Sequence, residues 1–181
     1  MLVEWLTVKS CPGKSKKYGI TIMDTNAETR EEFTATISSV LDLIHGRDLR
    51  RLKRVTREIR VIDRGVMWDY SPLMKINTVD LQHAKNVTSG LPDEYNLQVL
   101  ACFLIGTATC ASLRSRGIPQ NRRNSPRIEK LCAVEMVRFA RKIGVDEITC
   151  EILGKELGPS SFSERVQYVK EGIRRILREG G

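Results

Sequence analysis

The chain has 181 residues, 41% of them hydrophobic, with 30 Lys and Arg against 22 Asp and Glu for a net charge of +8. That is enough length and apolar content for one buried core, so a single α+β domain spanning 1–181 is the expectation, and the charge permits attraction to nucleic acid or other acidic surfaces. The five cysteines, Cys11, Cys102, Cys110, Cys132 and Cys150, are odd in number and lack CxxC spacing, which argues against a disulfide framework and against a zinc ribbon.

In chain order, residues 2–8 and 19–23 read as short strands, with Trp5 alternating with Val3 toward the core. Between them Lys14, Lys16 and Lys17 follow Pro12-Gly13 and suggest a solvated loop. The start Met1-Leu-Val-Glu-Trp5 lacks a basic and then apolar leader, so a cytoplasmic protein with reduced thiols is expected. A helix should begin near Thr25, where Thr25-Asn-Ala-Glu28 has capping-box spacing. Phe33, Ile37, Val40, Leu41 and Ile44 form its buried stripe, and Gly46 is placed to end it. His45, near that end, complements the helix dipole.

From Arg47 to Arg64 come eight Lys or Arg residues opposed by Asp48, Glu58 and Asp63, the strongest local positive charge in the chain. Two readings fit. One is a phosphate-contacting face; the other is a solvated helical turn followed by a strand whose charged outer face discourages edge pairing. Ile59, Val61 and Ile62 mark that strand, and 73–79 reads as another across a loop holding Gly65 and Pro72. Trp68 in that loop is a candidate partner anchor. His83 follows as a weaker site candidate.

The stretch that organises the chain is uncharged from Tyr95 to Leu113, within an expected helix over 92–116. A helix apolar on nearly all sides is one that its neighbours surround. Its length approaches a membrane span, but Asn96, Gln98, Thr107, Thr109 and Ser112 dilute it, favouring a core helix and no membrane. Gly117-Ile-Pro119 ends it. Ser125-Pro126 opens another helix, with Ile128, Leu131, Cys132, Phe139 and Ile143 on its apolar side and Gly144 at its stop. A strand over 147–153 and a last helix from about 161, with a stripe from Val166 to Leu177, complete the reading. No GxGxxG, GxxxxGK[ST] or EF-hand spacing is present.

Leu104-Ile-Gly-Thr-Ala-Thr-Cys-Ala-Ser-Leu-Arg-Ser-Arg-Gly-Ile118, then Arg127-Ile-Glu-Lys-Leu-Cys132 and Val137-Arg-Phe-Ala-Arg-Lys142, resembles the carboxy-terminal half of small bacterial zincin-like metallopeptidases. In that family a core helix carries HExxH, often HEATH. Two histidines four apart bind zinc and the glutamate between them is the general base. The resemblance puts Gly106 at the first ligand position, Thr107 at the base and Cys110 at the second ligand; only Ala108 and Thr109 remain from HEATH. It puts the third ligand, a glutamate of the following helix, at Glu129 or Glu135. Glu135 lies nearer the expected apolar side, and Glu129 fits the Arg-Ile-Glu phrasing.

Glycine has no donor atom, a threonine hydroxyl is no base at neutral pH, and one thiolate plus one carboxylate falls short of three protein ligands. The expected function is therefore a metallopeptidase-like pseudoenzyme with no metal and no cofactor, acting through a peptide or protein partner. One alternative is a nucleic-acid-associated module using Arg47 to Arg64 with Arg122, Arg123 and Arg127. Another is an enzyme with chemistry centred on Cys110, for which His83 is a conceivable base.

Overall fold

The computed structural model describes Cys11 and residues 13–65, 69–81, 94–119, 121 and 123–156. These residues form one α+β unit in the order β1 (Ser15–Lys17), β2 (Ile20–Met23), α1 (Arg30–Arg47), α2 (Leu49–Glu58), β3 (Val61–Arg64), β4 (Asp69–Ser71), β5 (Ile76–Val79), α3 (Glu94–Ser115), α4 (Ser125–Lys142) and α5 (Glu147–Glu156). The expected strand over 2–8 and the last helix from 161 lie outside the described residues.

The five strands make one mixed sheet in the order β1-β2-β3-β5-β4. β2, β3 and β5 are parallel, and β1 and β4 add antiparallel edges. Parallel neighbours need a long crossover, which α1 and α2 supply between β2 and β3. Lys16 and Lys17 lie in β1, an edge strand among the described residues, rather than in a solvated loop, and Lys14 just precedes it. Tyr18 (φ 50°) and Gly19 (φ 83°) form a two-residue turn with both residues left-handed, the geometry that joins twisted antiparallel strands. Lysines on that outer strand still oppose edge-to-edge pairing. The expected strand over 73–79 shortens to Ile76–Val79, because residues 72–75 form the turn from β4 and Lys75 is left-handed at φ 52°. β4 itself falls in the segment read as a loop.

Strand alternation splits the sheet's two faces. Ile20, Ile22, Ile62 and Val79 join the main core, whereas Met23 and Val61 pack with Cys11 and Ile76 on the other side. Over the first face lies α1, whose predicted stripe of Phe33, Ile37, Val40, Leu41 and Ile44 is fully buried. Its start is five residues later than the capping box suggested. Asp24, almost completely buried, accepts the Asn26 N–H at 2.8 Å and the Thr29 hydroxyl at 2.7 Å, which holds 24–29 in a loop. Gly46 does not stop α1 either; the helix runs to Arg47, and the extended backbone of Asp48 (φ −156°) ends it.

α3 packs against α1, α2 and α4. Val99, Ala101, Cys102, Leu104 and Ala108 are fully buried, so it is surrounded as its composition implied. By length and composition Asn96–Ser115 is apolar enough to cross a membrane, but 67% of it is buried within this fold. Gly117 and Gly144, both at φ 82°, follow α3 and α4 in the left-handed conformation expected of helix-ending glycines.

α4 differs from its expectation at the cap and on one face. Asn124, not Ser125, precedes the helix, and Pro126 sits in its first turn. Leu131 is 41% exposed, while Glu129, Ala133 and Met136 join Ile128, Cys132 and Phe139 on the buried side. The expected strand over 147–153 is helix α5 instead. Asp146 accepts the Thr149 N–H at 3.0 Å, capping a new helix that leans on α4. Cys150 and Leu153, one helical turn apart, face the core.

Candidate functional site

α3 packs on α4, and of the positions that the resemblance matches to HEATH, Cys110 faces α4 and Thr109 faces Arg54 of α2. Gly106 is buried, and Thr107 and Cys110 are half-buried. From α4 come Cys132, buried one helical turn beyond Ile128, and Glu129, which is only 8% exposed. Cys110 is held down to about 7 chiefly because Cys132 donates to its sulfur. Burial and the charge of Glu129 push the other way, and Arg114 adds to the lowering. Cys132, the donor, is correspondingly pushed up, with burial and the neighbouring Cys110 and Glu129 charges adding to the rise. A thiolate near neutrality is nucleophilic and metal-seeking, so Cys110 is the most reactive sulfur of this contact. Cys102, fully buried in the same helix, is pushed up by desolvation and is inert by comparison.

The sheet reaches the same neighbourhood through Tyr70 of β4. Its hydroxyl donates to the Glu58 carbonyl at 2.9 Å. Burial raises its pKa first, Glu58 adds to the rise, and the fields of Arg114 and Cys110 act on it as well. In register with Tyr70 stands Asn77 of β5, fully buried, whose side-chain amide has no hydrogen-bond partner among the described residues.

Between the two glutamates left open by the sequence, the fold selects Glu129 as the neighbour of Cys110. Glu135 faces α2 instead. It accepts from Arg51 at 3.3 Å, Arg54 at 3.2 Å and Arg138 at 3.2 Å. Burial raises its pKa, but these guanidinium groups outweigh that and leave it low. Arg51, Arg54 and Arg57 of α2 are thus tied to neighbouring helices rather than simply solvated, while Arg50 stays exposed. Arg54 donates to the Thr109 hydroxyl at 3.0 Å and Arg57 to the Ser112 hydroxyl at 3.1 Å, tying α2 to α3. Arg64, in β3, donates to Asp24 at 3.2 Å. The signal was present as the spacing of Arg51, Arg54 and Arg57, which puts three guanidinium groups on one helix face.

Zinc does not fit this donor set. Gly106 offers no atom, Thr107 offers only a hydroxyl, and among the described residues no three of His, Cys, Asp and Glu converge on a point. Of the other sequence candidates, Arg123 is exposed in the turn before α4. His83, Trp68 and Arg122 lie outside the described residues. His45 is exposed, and its ring stacks on Tyr18 at 4.9 Å between centroids, away from the α3–α4 contact.

No family model, no curated protein and no solved structure matches the chain.

Proposed function

We propose that this chain is a zincin-like protein without peptidase chemistry, acting in the cytoplasm by holding a peptide segment of a partner. The observation that carries the reading is the approach of Cys110 and Glu129 across the α3–α4 contact. Cys110 stands where the resemblance puts the second metal ligand and Glu129 is one of its two candidates for the third, with Thr107 in place of the base. A site of that form has no carboxylate beside a metal-bound water and so no means of activating it. What remains is a surface. β4, bordering the site through Tyr70, is the last strand of the sheet among the described residues, and an extended segment can add to such an edge by main-chain hydrogen bonds. The nucleic-acid reading has less support, since Arg51, Arg54, Arg57 and Arg64 are engaged inside the fold.

The full chain, exposed to zinc and dialysed, is expected to retain no stoichiometric metal by elemental analysis and to show no chelator-sensitive hydrolysis of casein. Gly106→His with Thr107→Glu and Cys110→His should gain zinc. One zinc per wild-type chain with chelator-sensitive hydrolysis would overturn the reading. Peptides selected from a random library should slow alkylation of Cys110; if every selected peptide leaves that rate unchanged, the segment is not held here.

A further inference from the structure

Where α1 ends, α2 begins and the last turn of α4 arrives, the surface forms an open cleft of about 500 Å³. Arg47, Arg50, Arg51, Arg54 and Lys142 line it, against the carboxylates of Asp48 and Glu135, so five positive charges less two negative leave a local excess of three. The volume is in the range of small-molecule sites.

Both carboxylates are already engaged. Asp48 accepts the Arg51 N–H at 3.0 Å, the Arg51 guanidinium at 2.5 Å and the Lys142 ammonium at 2.8 Å. Glu135 is held by Arg51, Arg54 and Arg138. The acids therefore fix the cations in place, and Phe139 backs the Arg51 guanidinium with its ring centroid 5.9 Å away. Arg47 and Arg50, both exposed, have no carboxylate partner among the described residues. The Nε of Arg51 is buried without an acceptor among them.

We propose that this cleft binds the diphosphate or triphosphate end of a small molecule. Guanidinium groups present paired N–H donors that match phosphate oxygens two at a time, and they stay charged at any physiological pH. Leu49 is the one apolar residue of the lining and no aromatic ring belongs to it, so a base or other flat group finds nothing to stack on. Recognition falls on the phosphate chain. An extended nucleic-acid backbone needs a stripe of cations instead. Along α4 the exposed Arg138 and Arg141 are paired with Glu135 and Glu147, and the exposed Arg127 and Lys130 lie in its first two turns; Arg123 precedes that far end of the 18-residue helix, about 27 Å from Lys142 at 1.5 Å per residue.

The test is calorimetry of the full chain with inorganic tripolyphosphate at about 0.15 M salt, where long-range attraction is screened. Saturable binding of one ligand per chain is expected. The double variant Arg47→Ala/Arg50→Ala, at exposed positions, should keep the wild-type circular dichroism and weaken binding at least about tenfold, the scale of one lost charge-assisted hydrogen bond. Arg123→Ala should leave it unchanged. Non-saturable binding, or equal affinity in the double variant, would overturn the proposal. So would a single-stranded RNA oligonucleotide that displaces tripolyphosphate and loses as much affinity through Arg123→Ala as through the double variant, which would assign the cations to a nucleic-acid backbone. None of these outcomes depends on Cys110 or Glu129, so the peptide-holding reading stands or falls separately.

Discussion

Replacing Asp48 tests how the α1–α2 junction is held. This one carboxylate precedes α2, accepts the Arg51 backbone N–H, and joins Arg51 to Lys142 of α4. Burial alone would raise its pKa, but hydrogen bonds from Lys142 and from the backbone and side chain of Arg51 outweigh burial and bring it from 3.8 to about 2. A carboxyl group depressed on folding adds stability above its unfolded value and loses it as pH falls through its folded value. The contribution is therefore complete above about pH 5 and fades between about pH 4 and pH 2. At 1.36 kcal/mol per unit the gap corresponds to roughly 2 kcal/mol, reduced toward about 1 kcal/mol because Lys142 is half exposed and screened. Asp48→Asn keeps a side-chain oxygen that can cap α2 while removing the charge. Urea unfolding at pH 7 should show the variant about 1–2 kcal/mol less stable, with the wild-type advantage shrinking steadily toward pH 3. Equal stabilities at pH 7, or a difference as large at pH 3 as at pH 7, would refute the reasoning.

Three further outcomes can be checked directly. Thr109→Val, which leaves Arg54 without that acceptor and Thr109 without its own bond to the Ile105 carbonyl, should cost about 1–2 kcal/mol in urea unfolding. The rate of Cys110 alkylation should rise with pH through a midpoint near 7, since the thiolate is the reacting form; Cys132→Ala, by removing the donor, should move that midpoint up, and an unchanged midpoint would exclude Cys132 as the cause. Gly144→Ala meets no neighbouring atom but must hold φ 82°, so thermal or urea unfolding should register about 1 kcal/mol of purely conformational cost.

How much was legible in the sequence depended on the range of the signal. The α1 stripe was plain because five apolar side chains at helical spacing declare a face whatever lies against it. The surrounded α3 and the glycines after α3 and α4 were equally plain, being properties of composition and of backbone sterics at single residues. Short segments misled. Residues 147–153 alternate well enough for a strand, yet Asp146 caps them into α5 and α4 offers a surface for Cys150 and Leu153. Thr25 and Glu28 have the spacing of a cap, but Asp24 draws the following residues into its own loop.

On the site, the sequence alone located the uncharged helix and the small, weakly polar run from Gly106 to Cys110 within it, because these are matters of which atoms are present. Only the tertiary structure chose Glu129 over Glu135 and brought Cys132 to Cys110. It alone converted a run of arginines into ties to Thr109 and Ser112, 55 residues away, and lined a cleft with the rest. The physical reason is that periodicity and side-chain chemistry act within a turn or two of backbone, whereas a carboxylate's role is set by whichever charges the packed helices carry to it.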